Sequence, residues 1–215
     1  MTERRLILTV LMALAVLTLV LAPVATADDP PPGLKMEVEA AFDGYFKYGE
    51  WLPVWVHLEN SGPDLQAEVQ VRVTSGSVTT FAVPAPLPTG SRKRVPVYVL
   101  PNNYSHELEV QLVAGGDVLL SRQVPVHPLP NIHYLVGLVA PERGALSLIM
   151  GASLSAQDRP KELVDLSPAG LPERPEGLRS FDCLILNDPK PSAKIPKQDA
   201  ALEAWVRQGG RLVIG

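Results

Sequence analysis

The feature that most constrains this chain is a two-residue hydrophobic alternation that recurs between residues 34 and 128. Val69, Val71 and Val73 fall on one side of a run whose other side is Glu68, Gln70 and Arg72, as in a strand with one buried and one wet face. The same rhythm runs through 36–41, 52–58, 78–83, 95–99, 108–112 and 118–126. Turn signals separate the runs: Asn60-Ser61-Gly62-Pro63, Ser75-Gly76, Pro88-Thr89-Gly90, Pro101-Asn102-Asn103 and Gly115-Gly116-Asp117. Glycine in the last of these supplies the positive φ that a tight hairpin needs. Short strands at this spacing predict an antiparallel, immunoglobulin-like β-sandwich over 34–128. The 22 prolines among 215 residues lie between apolar runs and argue against a long helical bundle. A single cysteine leaves the sandwich without a disulfide.

Ahead of the sandwich, Arg4 and Arg5 precede an unbroken apolar stretch over 6–22, followed by Pro23 and the small residues Ala25 and Ala27. A positive start, an apolar middle and a small-x-small site are the parts of a secretory signal, with cleavage expected after Ala27. The alternative is an uncleaved anchor, because the apolar stretch approaches the length that spans a bilayer. Both readings export the remainder, to the periplasmic or extracellular face of a bacterial membrane. Membrane contact is expected only through Leu6 to Ala22, if uncleaved. Residues 28–33, rich in proline, read as a stiff linker.

After residue 128 the grammar changes. The stretch 132–140 is almost continuously apolar, as in a parallel strand buried on both faces. A short helix is expected over 141–151, then strands over 162–166 and 181–187. A helix over 196–208 carries the stripe Gln198, Leu202, Trp205 and Val206, with Pro196 in its first turn and Gly209-Gly210 as its stop. A buried-type strand over 211–214 follows. This order predicts an α/β, flavodoxin-like parallel-sheet domain over 129–215. Ending on such a strand, that domain is expected to be incomplete and the chain a fragment of a longer protein.

Two resemblances bear on these segments. Gly49-Glu50-Trp51-Leu52-Pro53-Val54-Trp55-Val56, with Leu58, Asn60 and Gly62 beyond it, resembles the second-strand region of bacterial extracytoplasmic immunoglobulin-like domains. Asp182-Cys183-Leu184-Ile185-Leu186 and Ala201-Leu202-Glu203-Ala204-Trp205-Val206-Arg207-Gln208-Gly209-Gly210-Arg211-Leu212-Val213-Ile214-Gly215 resemble the signature of class I glutamine amidotransferase-like domains. The second resemblance implies a fold. The nucleophilic Cys, His and Glu of true amidotransferases fall later in the family's pattern than Gly215, so it carries over no catalytic residue.

The individual chemistry-bearing residues give little more. Cys183 sits within the strand 181–187, where a thiol acts as a small hydrophobe rather than a thiolate nucleophile. Asn187 and Asp188 stand at the carboxyl end of that strand, where open α/β sheets place ligand crevices, and are the candidate ligand-binding residues. Asn-Asp-Pro is equally ordinary turn chemistry. The four histidines show no metal-ligand spacing and no G-x-G-x-x-G occurs, so neither metal nor cofactor is expected. Gly151-Ala152-Ser153-Leu154-Ser155 is not a nucleophile elbow. The cluster Tyr45, Phe46, Tyr48, Trp51 and Trp55 could stack on sugar rings, but packing, with Trp55 in the core and Trp51 at its edge, is the expected use. Arg92-Lys93-Arg94 reads as a solvated guard on a strand edge. A net charge of -4 and the absence of longer basic runs argue against a nucleic-acid partner. The expected function is a non-catalytic extracytoplasmic binding or scaffolding module. Its expected partners are other cell-envelope proteins or its own missing C-terminal part. The alternative is the N-terminal part of an amidotransferase-like hydrolase whose nucleophile lies beyond Gly215.

Overall fold

Alternation along the strands produces two stacked sheets. A computed structural model describes residues 32–102, 104–141, 160–187 and 196–215. The first sheet has the order β1-β3-β6, from β1 (Leu34–Ala40), β3 (Leu52–Asn60) and β6 (Ser91–Val99). The second has the order β5-β4-β7-β8, from β4 (Leu65–Ser75), β5 (Ser77–Leu87), β7 (Glu107–Ala114) and β8 (Asp117–Pro125). All their pairings are antiparallel. Strand exchange between two such sheets is the Greek-key plan of a β-sandwich of immunoglobulin type. Val54, Val56 and Leu58 from β3 meet Val69, Val71, Val110 and Leu112 from the other sheet in one buried cluster. Each expected strand is present, most of them longer than the alternation suggests.

Two short strands escaped the sequence reading. β2 (Tyr45–Lys47) and β9 (His127–Leu129) pair parallel to each other. Ahead of β2, Phe42 has φ 62 and Asp43 φ 50, a left-handed conformation that is rare for an aromatic residue. The turn is held by what Phe42 packs on: its ring meets Phe181 edge-on at 4.6 Å.

The second region forms a four-stranded sheet of order β11-β10-β12-β13. Its members are β10 (Tyr134–Val139), β11 (Lys161–Leu166), β12 (Cys183–Leu186) and β13 (Leu212–Ile214), and every pairing is parallel. Helix α1 (Pro196–Arg207) joins β12 to β13. The link from β11 to β12 contains two 3-10 turns, Pro168–Gly170 and Pro175–Leu178. The helix expected over 141–151 lies outside the described residues except for Pro141, and so do the signal stretch and most of the linker.

The expected strand over 181–187 is shorter at both ends. Asp182 is taken out of it by a reciprocal bond with Leu135: the Asp182 N–H donates to the Leu135 carbonyl at 2.9 Å, and the Leu135 N–H donates to Asp182 Oδ2 at 2.8 Å. In α1, Gln198, Leu202 and Trp205 are buried as the stripe requires, together with Ala201. Val206 is 40% exposed and leaves the stripe. The chain ends this helix on Gly209, φ +101, and Gly210 lies flat against the Trp205 indole, where a Cβ would come within 2.4 Å of ring carbons.

Residues Pro31–Gly215 form one compact unit, and one buried cluster runs from Met36 through Val71 to Leu184 and Trp205. Its continuity depends on β3. Leu52, Val54, Val56 and Leu58 face the other sheet, and Pro53 and Trp55 face the opposite way yet are also buried. The link between β11 and β12 covers them. Gly177 packs so closely that a Cβ there would lie 2.9 Å from the Tyr98 ring and 3.0 Å from Pro53. Trp55 is therefore core, 3% exposed, but its core is the seam between the two regions rather than the interior of the sandwich. Trp51 sits half-buried at the edge, against Phe81.

Candidate functional site at the carboxyl end of the parallel sheet

Strand order fixes where a crevice can open. The chain leaves β10 for β11 on one side, then crosses to β12 and continues outward to β13, so the direction of winding reverses between β10 and β12. At such a switch point the connections diverge and leave space outside the carboxyl ends of the strands. Here those ends are Val139, Ala140 and Pro141 on one side and Leu186 and Asn187 on the other.

Asn187 bridges the two. Its N–H donates to the Val139 carbonyl at 2.9 Å, and its carboxamide oxygen lies 3.0 Å from the place a Cβ would occupy on Gly215. Gly215 in turn donates its N–H to the Leu186 carbonyl at 2.9 Å. The carboxamide thus lies against the end of β13, with one donor and one acceptor function to offer. Asp188, the other candidate, lies outside the described residues, as do Ala25 and Ala27. Among the described residues no three His, Cys, Asp or Glu side chains gather as a metal site.

Cys183 opens β12 and so stands at the far end of that strand from Asn187. It is partly exposed, not enclosed mid-strand as the sequence suggests. Burial pushes its thiol above the ordinary 9.0, outweighing the nearby Arg211 guanidinium that pulls the other way. The thiol form is favoured, and the residue packs with Val136, Leu138 and Ile185 on the second face of the sheet.

The seam carries the strongest electrostatics. Lys47, 8% exposed, forms an ion pair with Asp182 Oδ2, the same oxygen that accepts the Leu135 N–H. The Lys47 N–H donates to Ser180 Oγ at 3.3 Å, and Ser180 is fully buried. On the other side of the seam, the Arg94 guanidinium lies 4.2 Å over the Trp55 ring and donates to the Ala169 carbonyl at 3.0 Å. Arg92 and Arg94 are exposed on β6, the edge strand of its sheet, as expected of a solvated guard, and Arg94 in addition ties across the seam through the Ala169 carbonyl. Tyr98 OH accepts the Glu173 N–H at 3.2 Å, and burial raises its pKa above 10.0. Gln198 donates to the Leu171 carbonyl at 2.8 Å, tying α1 to the same link.

The sheet ends in an open edge. Val213 and Ile214 of β13 are 50% and 69% exposed, and β12 is the only strand paired with β13 among the described residues.

A family described as a domain of unknown function, DUF8726, matches residues 33–127, the span of the sandwich. None of the curated proteins matches. Among solved structures, the CARDB domain of a Pyrococcus furiosus protein, in complex with di-metal ions, is similar with 14% identity and a TM-score of 0.34, covering 47% of this chain and 90% of that one. The Pseudomonas fluorescens alkylpurine DNA glycosylase AlkC, bound to DNA with an abasic site analogue, is similar with 15% identity and a TM-score of 0.33, covering 44% of this chain and 30% of that one. The Amycolatopsis orientalis exo-chitosanase CsxA is similar with 10% identity and a TM-score of 0.32, covering 85% of this chain and 32% of that one. The fold assignment rests on strand order and register, and these likenesses add no function to it.

Proposed function

We propose that this chain is an extracytoplasmic binding or scaffolding module of a bacterial cell-envelope protein. The sandwich acts as a rigid base, and the parallel sheet presents its carboxyl end and the β13 edge to a partner, either another envelope protein or a further part of its own polypeptide. The observation that supports this reading is the seam: Phe42 on Phe181, Lys47 with Asp182, and Arg94 on the Ala169 carbonyl join the sheet to the sandwich. A fixed joint suits presentation of a surface, since interface geometry is then set before the partner arrives. The apolar stretch over 6–22 and the small residues Ala25 and Ala27 are what support an exported location. Mass spectrometry of the chain recovered from the envelope fraction tests it. A mature terminus at Asp28 supports export with cleavage, an intact Met1 in the membrane supports the anchor, and recovery only from the cytoplasm contradicts the proposal.

A second reading, the N-terminal part of an amidotransferase-like hydrolase, is supported by the all-parallel order β11-β10-β12-β13 and by the sequence resemblance over 182–215. A coding sequence that runs past Gly215 into a strand, a cysteine elbow and a helix would favour it. Continuation without such an elbow would sink it.

A further inference from the structure

On the outer face of the second sheet, strand register sets polar side chains in rows. Val69 and Val71 point into the sandwich, so Glu68, Gln70 and Arg72 point away from it. Glu68 stands between Pro84 of β5 and Val113 of β7, and Val113 pairs in turn with Val118 of β8. In the next row Gln70 stands beside Gln111, and in the third Arg72 stands beside Glu109.

Two carboxylates in these rows are answered differently. Glu109 is met by the Arg72 guanidinium at 3.1 Å, by Gln111 Nε2 at 2.8 Å and by Ser121 Oγ at 3.4 Å. Glu68 is half-buried, accepts a Gln70 carboxamide N–H on Oε1, and pairs with no cation among the described residues. Diagonally across from it, Gln111 is 8% exposed. Its Nε2 is committed to Glu109, and its Oε1 accepts no hydrogen bond from the described residues. Both side chains line one groove of about 460 Å³, whose described lining holds no lysine or arginine. A half-buried carboxylate without a cation and a buried carboxamide oxygen without a donor are each unfavourable alone. Together they make a site that lacks only donors and positive charge.

We infer that this groove binds a guanidinium group, specifically the side chain of an arginine within a partner polypeptide, with Glu68 and Gln111 Oε1 as its acceptors. A guanidinium brings several N–H donors in a rigid plane, carries a permanent charge and has no acceptor of its own, which is the complement of this lining. An ammonium is a compact, strongly hydrated charge and loses more on entering a half-buried site. The methylene stem of an arginine has Pro84, Val113 and Val118 to lie on, all of them in the lining. A peptide suits the groove better than the free amino acid does. The α-carboxylate of free arginine would meet Glu68 with no lysine or arginine in the described lining to receive it, and that charge is absent within a chain.

The test is an NMR titration of the full chain with Nα-acetyl-L-arginine methylamide, which presents arginine as a peptide does. The expected result is saturable binding with a dissociation constant of about 0.5–5 mM, shifting amides of β4 and β7. Glu68→Gln should weaken it at least about tenfold, and so should exchanging the ligand for its citrulline counterpart, which keeps the shape and loses the charge. Glu68→Gln leaves Gln70 an acceptor, and far-UV circular dichroism checks that the variant folds. The citrulline comparison needs no variant at all. Absence of saturable binding up to about 50 mM overturns the inference. So does binding that Glu68→Gln leaves unchanged, or equal binding of the citrulline derivative, which would make the groove a neutral polar surface. Tighter binding of free L-arginine than of the blocked form overturns the assignment to a polypeptide.

Discussion

Asp182 accepts the Lys47 ammonium and the Leu135 N–H on one oxygen, while its own N–H returns a bond to Leu135. One carboxylate thus joins β2 to the first strand of the parallel sheet. Removing its cation leaves a largely enclosed negative charge without compensation, which costs more than the pair contributes when intact. Lys47→Met is expected to lower stability by about 2–3 kcal/mol, read from the urea midpoint at unchanged slope. Directly after it in the chain, Cys183 has its thiol pKa raised by burial above 9.0. Its alkylation by iodoacetamide is expected to be slow at neutral pH and to rise with a midpoint above 9.0. A midpoint near neutrality would mean that Arg211, and not burial, governs the thiol.

At the scale of elements, β3 and α1 show what the sequence made legible and what it concealed. The run Leu52-Pro53-Val54-Trp55-Val56 is continuously apolar, the mark of a strand buried on both faces. The alternation of its neighbours drew it into the half-buried class, and with that the seam was missed. β2 and β9 are three residues each, too short for any periodicity to register. Arg94 looked like surface charge because its partners, the Trp55 ring and the Ala169 carbonyl, are distant in sequence or carry no side-chain signal. The strands of the parallel sheet and the helix were readable because continuous apolar runs and an i, i+4 stripe are local patterns. Asn187 was readable as a strand-end residue, whereas its contact with Gly215 depends on strand order.

Two predictions belong at this scale. Gly210→Ala drives a methyl into the Trp205 indole, with less than 2.5 Å to ring carbons, and is expected to cost about 1–3 kcal/mol by displacing α1. Tyr98 has a folded-state pKa raised above 10.0 by burial, so its contribution is fully present below 10.0 and is lost as pH rises through the folded value. The wild-type chain is therefore expected to lose stability on the alkaline side of 10.0 more steeply than Tyr98→Phe does, in urea melts taken across that range.

At the scale of the whole molecule, the seam makes sandwich and parallel sheet a single mechanical body rather than two beads on a string. A continuous buried cluster runs across it, and it is lined by Lys47, Asp182 and Tyr98, which bond across it, and by the buried Trp55. Trp55→Ala, which removes the largest of these side chains, is expected to cost about 3–5 kcal/mol. It should lower the unfolding midpoint of both regions together. The most direct measurement is native-state hydrogen exchange by mass spectrometry, comparing peptides from β4 and β7 with peptides from β10 and β12. A rigid module predicts the same opening free energy in both sets and an equal drop in both on Trp55→Ala. A parallel sheet that opens at lower free energy while the sandwich stays protected, with Trp55→Ala affecting only one of them, would contradict the account.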